Sequence, residues 1–187
     1  IWKEMSNDLY DLLCGHEVGH ALYTPQDEDE IKSKMKGIPH SYFNVVEDIR
    51  IDKKMKIKYP GLRKSYFNGY SELVEKDFFG TKENDVNKMR YIDRLNMFTK
   101  SGNMEDIEFN VIENELIEKS HHLETFEDVI KLAKEIFQYS EEKEEYDPEQ
   151  DGLNSKFTPD PDGDFVDTEE MPSNDEQMDG EETEEGS

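Results

Sequence analysis

Apolar residues recur at helical spacing through the first 140 residues of this chain and then almost disappear, and that break decides which part of it can fold. From Glu141 to Ser187 there are 20 acids and 2 lysines, a net charge of −18 in 47 residues, whereas residues 1–140 carry 27 acids and 20 bases, a net of −7. Beyond Glu141 too little apolar area is available to offset the entropy of ordering the chain. The expectation is one mostly α domain over residues 1–140, followed by an acidic disordered linker or tail over 141–187. A formal charge of −25 also excludes nucleic acid as the default partner, because affinity for a phosphate backbone comes from cationic groups. No run approaches the roughly 18 to 20 apolar residues that a membrane span requires. The single cysteine, Cys14, forbids an internal disulfide and fits a reducing compartment.

The first helix is expected from Ser6 or Asn7 to about Tyr23. Asp8 and Asp11 suit its positive end, and Leu9, Leu12, Leu13, His16, His20 and Ala21 form its inward stripe. Cys14 falls on another face and reads as a small buried hydrophobe. Pro25 ends this helix, and a short amphipathic stretch follows up to the Gly37-Ile38-Pro39 break. Ser41 then caps a helix from Tyr42 to about Lys58. A third helix carries Leu62, Phe67, Tyr70 and Leu73, with Gly69 as a weak point inside it. Val86, Met89, Ile92, Leu95 and Phe98 predict one continuous helix ending at Ser101-Gly102, and two more helices follow. The last opens on Thr125-Phe126-Glu127-Asp128, close to a capping box. In the tail, Asp147, Glu149, Asp151 and Gly152 imitate the opening of a calcium loop, but Thr158 stands where a bidentate Glu belongs, so a solvated linker is the better reading.

The segment with chemistry in it is His16-Glu17-Val18-Gly19-His20. Histidines four apart project from one helical face, so both imidazoles can reach a single tetrahedral zinc ion, while Glu17 points beside the metal and can serve as general base. A catalytic zinc usually takes three protein ligands, and Glu47, on the next long helix, is the best third candidate. Among Val45, Val46 and Ile49 its charge would be costly without a cation. The alternative is that His16 and His20 are helix-face histidines hydrogen-bonded within a core.

His16 to Thr24, followed by Asn44-Val45-Val46-Glu47-Asp48-Ile49-Arg50-Ile51, resembles the zincin metallopeptidases of the gluzincin type. More narrowly it resembles the metallopeptidase-like proteins of tailed phages and the related cobalt-chelatase-subunit-like proteins, in which a helical metal-binding region precedes an acidic linker and a von Willebrand factor A domain. The match spans roughly residues 6–75. It implies a helical zincin-like core, zinc held by His16, His20 and Glu47, Glu17 as general base, and Asn44 and Asp48 as flanking groups that orient a ligand. It also implies a peptide or protein substrate, a downstream A domain or an assembly partner, and a cytoplasmic location, that of the host if the chain is phage-encoded. Zincins commonly place a sheet before the HExxH helix, whereas about 15 residues precede His16 here. With no initiator methionine, the chain reads as truncated at its N-terminus.

The implied reaction is zinc-assisted hydrolysis of a peptide bond. Tyr23, Tyr42, His40, Arg50 and the pair His121-His122 have the chemistry to stabilise an oxyanion, but packing, ion pairing and helix-end placement are the stronger readings for them. The rival function is a non-proteolytic module in which zinc staples helices and partner binding is the role, as the chelatase-like relatives suggest.

Overall fold

A computed structural model of the chain describes residues 5–82, 84–101 and 106–146. The calcium-like sequence and nearly all of the acidic tail lie outside the described residues. Seven α-helices and one short 3-10 turn follow one another, with no strand among the described residues. The mostly α expectation therefore holds.

Helix α1 spans Asn7–Tyr23, with the Ser6 hydroxyl accepting from the Leu9 N–H at 3.1 Å. Its buried stripe is Leu9, Leu12, Gly15, His16 and Gly19, while Ala21 and Cys14 are exposed, contrary to expectation. The reason is that the two glycines, not Ala21, face the neighbouring helices. A Cβ on Gly15 would stand 3.2 Å from Leu62 and Tyr66, and one on Gly19 would stand 3.0 Å from Met55. The inward face is thus set by where backbones approach, which hydrophobic periodicity does not register.

Helix α2 (Glu28–Lys34) is capped by Asp27, and α3 (His40–Lys58) begins two residues before the expected start. Pro39 occupies the cap position of α3 with φ −62°, a value suited to entering a helix, and Ser41 is buried inside it. Helix α4 (Leu62–Glu75) contains Gly69 because α1 crosses there. A Cβ at that position would meet Leu12 Cδ1 at 2.9 Å and the Leu9 backbone at 3.1 Å.

The continuous helix expected over Val86–Phe98 is instead a 3-10 turn, Val86–Lys88, an extended Met89 with ψ 159°, and α5 (Tyr91–Ser101). Local polar groups impose the break. Asp85 caps the Asn87 N–H, the Arg90 side chain turns onto Asp93, and the Tyr91 N–H donates to Glu145, which satisfies an otherwise orphaned donor of the first turn. Helices α6 (Val111–His121) and α7 (Phe126–Glu142) open on complete capping boxes, Asn110 with Glu113 and Thr125 with Asp128. Helix α7 runs on to Glu142, and Tyr146 stacks edge-on against Phe137, with ring centres 4.8 Å apart.

Helix α3 is the axis of the molecule and packs against α1, α4, α5, α6 and α7. One apolar core gathers Tyr42, Val45 and Val46 of α3 with residues of α5, α6 and α7. A second gathers Leu9, Leu12, Met55, Tyr66 and Tyr70 between α1, α3 and α4. Polar side chains of α3 are buried between the two cores, among them Glu47, Asp48, Arg50 and Asp52. Among the described residues no helix is long and apolar enough to cross a membrane.

Candidate metal centre

Burying that many ionisable groups on one helix is unfavourable unless each finds a partner. The partners divide along α3. Glu47, fully buried, accepts from Arg50 Nη2 at 2.6 Å and Nε at 2.8 Å, and from the Thr24 hydroxyl at 2.6 Å. Arg50 Nη2 also donates to the Tyr23 carbonyl at 2.9 Å. The residue expected as third ligand is therefore engaged by a guanidinium and a hydroxyl.

The carboxylate that lies beside the two imidazoles is its neighbour, Asp48. His16, His20 and Asp48 form a group that could hold a metal ion, with His16 and Asp48 buried and His20 partly so. Glu47, the expected third ligand, is not in this group. Successive residues in a helix point about 100° apart, so the two acids meet α1 at different places, Asp48 at the imidazoles of His16 and His20 and Glu47 at Thr24 on the helix end.

The three potential ligand atoms converge. His16 Nε2 lies 3.3 Å from His20 Nε2 and 3.5 Å from Asp48 Oδ1, and His20 Nε2 lies 3.2 Å from the same oxygen. An ion bound tetrahedrally at roughly 2.0–2.1 Å needs its ligands about 3.3–3.4 Å apart, so the triangle fits. The outer shell sets the chemistry of its corners. His16 Nδ1 is 2.9 Å from Asp52 Oδ1, a contact in which the ring nitrogen donates. Asp52 Oδ2 in turn accepts from Tyr70 at 3.0 Å.

His20 Nδ1 is 3.1 Å from the Thr24 hydroxyl, whose own proton goes to Glu47. With both Nδ1 atoms donating, both Nε2 atoms of the neutral rings present lone pairs to the same point. Asp48 Oδ1 is buried and accepts no well-formed hydrogen bond, while Lys100 occupies Oδ2 at 2.7 Å. Three lone-pair atoms facing one another in a buried site repel, and a cation relieves that repulsion. The donor set of two imidazoles and one carboxylate suits zinc chemistry.

The electrostatics of the site favour positive charge here, whether a metal ion's or a proton's on the imidazoles. Burial pushes the Asp48 carboxyl up, but the Lys100 ammonium and then the imidazoles of His16 and His20 hold it below the usual carboxylate range. Asp52 is likewise pushed up by burial yet held low by His16. Burial works to lower the His16 imidazole, and the combined charges of Asp48 and Asp52 outweigh it and raise the pKa. The Tyr70 phenol is raised by burial and by Asp52, so it stays a proton donor to that carboxylate.

Glu17, one residue along from His16, is exposed and makes no hydrogen bond or ion pair among the described residues. Asn44 is buried on α3 and donates to His40 Nδ1 at 2.9 Å. Of the side chains considered for an oxyanion, Tyr42 packs against Phe137 and Tyr146, Arg50 is held by Glu47, and His121 and His122 are exposed at the end of α6 beside Glu118. Sequence reasoning missed Asp52, Thr24, Tyr70 and Lys100. Asp52 stands four residues after Asp48 and Thr24 four after His20, spacings that repeat one helical face and could have flagged both. Lys100 and Tyr70 arrive from α5 and α4 and leave no local signal. Comparison of the chain with protein-family models, with curated proteins and with solved structures gave no match.

Proposed function

We propose that the protein is a zinc-dependent metallopeptidase with a helical zincin-like core, in which His16, His20 and Asp48 hold the metal and Glu17 is the general base. The observation that carries this reading is the largely buried triangle of two imidazoles with inward-facing Nε2 atoms and the carboxylate oxygen Asp48 Oδ1, which accepts no well-formed hydrogen bond, spaced for tetrahedral coordination beside an exposed Glu17. Bound zinc supplies Lewis acidity that polarises a peptide carbonyl and makes water nucleophilic near neutral pH. The chain's own residues do the rest. Asp52 holds the His16 ring with Nε2 facing inward, Thr24 does the same for His20, and Glu47 fixes Thr24 by accepting its hydroxyl proton. Lys100 restrains Asp48 through Oδ2 so that Oδ1 alone faces the imidazoles. The Glu17 carboxylate takes a proton from the attacking water and returns it to the leaving nitrogen. The substrate class is a peptide or protein.

Metal content and hydrolysis of a fluorogenic peptide library test this together. Wild type expressed with zinc is expected to carry one equivalent and to cleave peptides, and Glu17→Gln to keep the metal while losing about 100-fold or more of the rate. A metal-free wild type removes the proposal. Zinc without hydrolysis, equal in wild type and Glu17→Gln, favours the structural module, a reading supported by the way one site ties α1, α3 and α5 together.

A further inference from the structure

Residues 53–64 hold six cations and no acid, in a chain where acids outnumber bases 47 to 22. Lys53 and Lys54 share the exposed Glu124, but no acid among the described residues lies within ion-pair distance of Lys56, Lys58, Arg63 or Lys64. Two of these cations, Lys53 and Lys56, line a cavity of about 470 Å³ between α3, α5 and α6. Lys53 and Lys56 stand in its wall beside apolar Ile49, Ile57 and Phe98. Two of those apolar side chains, Ile57 and Phe98, are left exposed, at 61% and 36%. Asp48 and Asp52 also reach the cavity, where Lys100 pairs with Asp48, His16 and Tyr70 donate to Asp52, and Lys56 is close enough to Asp52 to help hold its pKa low. A cavity with an apolar wall and a cationic rim fits an acidic peptide carrying a large apolar side chain.

The chain contains such a peptide. Asp160–Glu170 carries six acids and no base, with Phe165 and Val166 at its centre. We propose that this segment docks in the cavity of its own chain, Phe165 against Ile57 and Phe98 and its carboxylates on Lys53, Lys56 and the neighbouring cations. Reach is ample. Tyr146 packs against Tyr42 near the start of α3, and Lys53 lies 11 residues further along that helix, about 16 Å away. The 19 residues from Tyr146 to Phe165 can extend up to about 60 Å. Tethering places the segment at an effective concentration on the order of millimolar, so modest affinity suffices for occupancy. The chain's own excess of negative charge makes nucleic acid the poorer occupant of the same lysines.

Zero-length carbodiimide cross-linking of the full chain, mapped by mass spectrometry, tests the docking without reference to metal or catalysis. The Lys53–Glu124 pair, 2.5 Å apart, provides an internal standard. Lys53 and Lys56 are expected to cross-link to acids of 160–170 far above the level seen for Lys119 or Lys131. Mixed isotope-labelled protein should show those links to be within one chain. Phe165→Ser, and separately Lys56→Glu read at Lys53, are each expected to lower the yield about fivefold, and 0.5 M salt to lower it further. Links spread evenly over exposed lysines, links only between chains, or yields unchanged in Phe165→Ser overturn the proposal. So does protection of these lysines by a single-stranded oligonucleotide when no links to 160–170 form.

Discussion

At the scale of single residues, the centre turns on two adjacent acids that the sequence makes look equivalent. Glu47 and Asp48 are both fully buried, yet one faces a guanidinium and the other faces two imidazoles. Substitution separates them. Asp48→Asn is expected to abolish stoichiometric zinc binding, measured by elemental analysis of purified protein. Glu47→Gln should keep the metal but lose stability, about 3–5 kcal/mol by urea unfolding, because Arg50 is left buried without its counter-charge. Loss of zinc in Glu47→Gln with a fully folded protein would return Glu47 to the ligand set. Asp52→Asn tests the shell behind His16: zinc affinity by chelator competition should fall about 10- to 100-fold with little change in the circular dichroism spectrum.

At the scale of elements, the helices were largely legible and their contacts were not. Capping signals at Ser6 and Thr125 give the starts of α1 and α7, because a cap is a local hydrogen bond between residues three apart. The single stripe over Val86–Phe98 misled, since Asp85, Asp93 and Glu145 compete for the backbone and side chains that a continuous helix would need. Gly69, a weak point by propensity, is where α1 and α4 touch, and Gly69→Ala should cost about 1–3 kcal/mol through overpacking against Leu12 and Leu9. No loss on thermal unfolding would mean that α1 can move away freely.

Helix α6 offers a pH test. Glu113 caps it and pairs with Arg94 of α5 at 2.6 Å. Burial raises its pKa, but the Arg94 bond and the Asn110 N–H outweigh that and hold it low. A carboxyl depressed in the folded state adds stability above its unfolded value of about 4.5 and loses it as pH falls through the folded value. The stability gap between wild type and Glu113→Gln should therefore be full at pH 7 and smaller at pH 3, measured by urea unfolding at both.

At the scale of the whole molecule, the candidate centre joins the two apolar cores, because its ligands come from α1 and α3 and its restraints from α4 and α5. Metal that binds only the folded state adds about 2.7 kcal/mol when free zinc is 100 times its dissociation constant. Chelation should accordingly lower the melting temperature of wild type and leave that of Asp48→Asn unchanged. Residues close in sequence determine much here without help from the fold: mostly helical structure over the first 140 residues, the His16–His20 face, and the presence of an acid on the next long helix. Those follow from periodicity and local hydrogen bonding, which act within a few residues. Which acid meets the histidines depends on how α3 is rotated against α1. That rotation is set where Gly19 lets Met55 and Ile51 of α3 approach α1, and by Lys100 and Tyr70 arriving from distant helices. Packing between elements far apart in the chain decided it, through contacts that no local pattern of residues encodes.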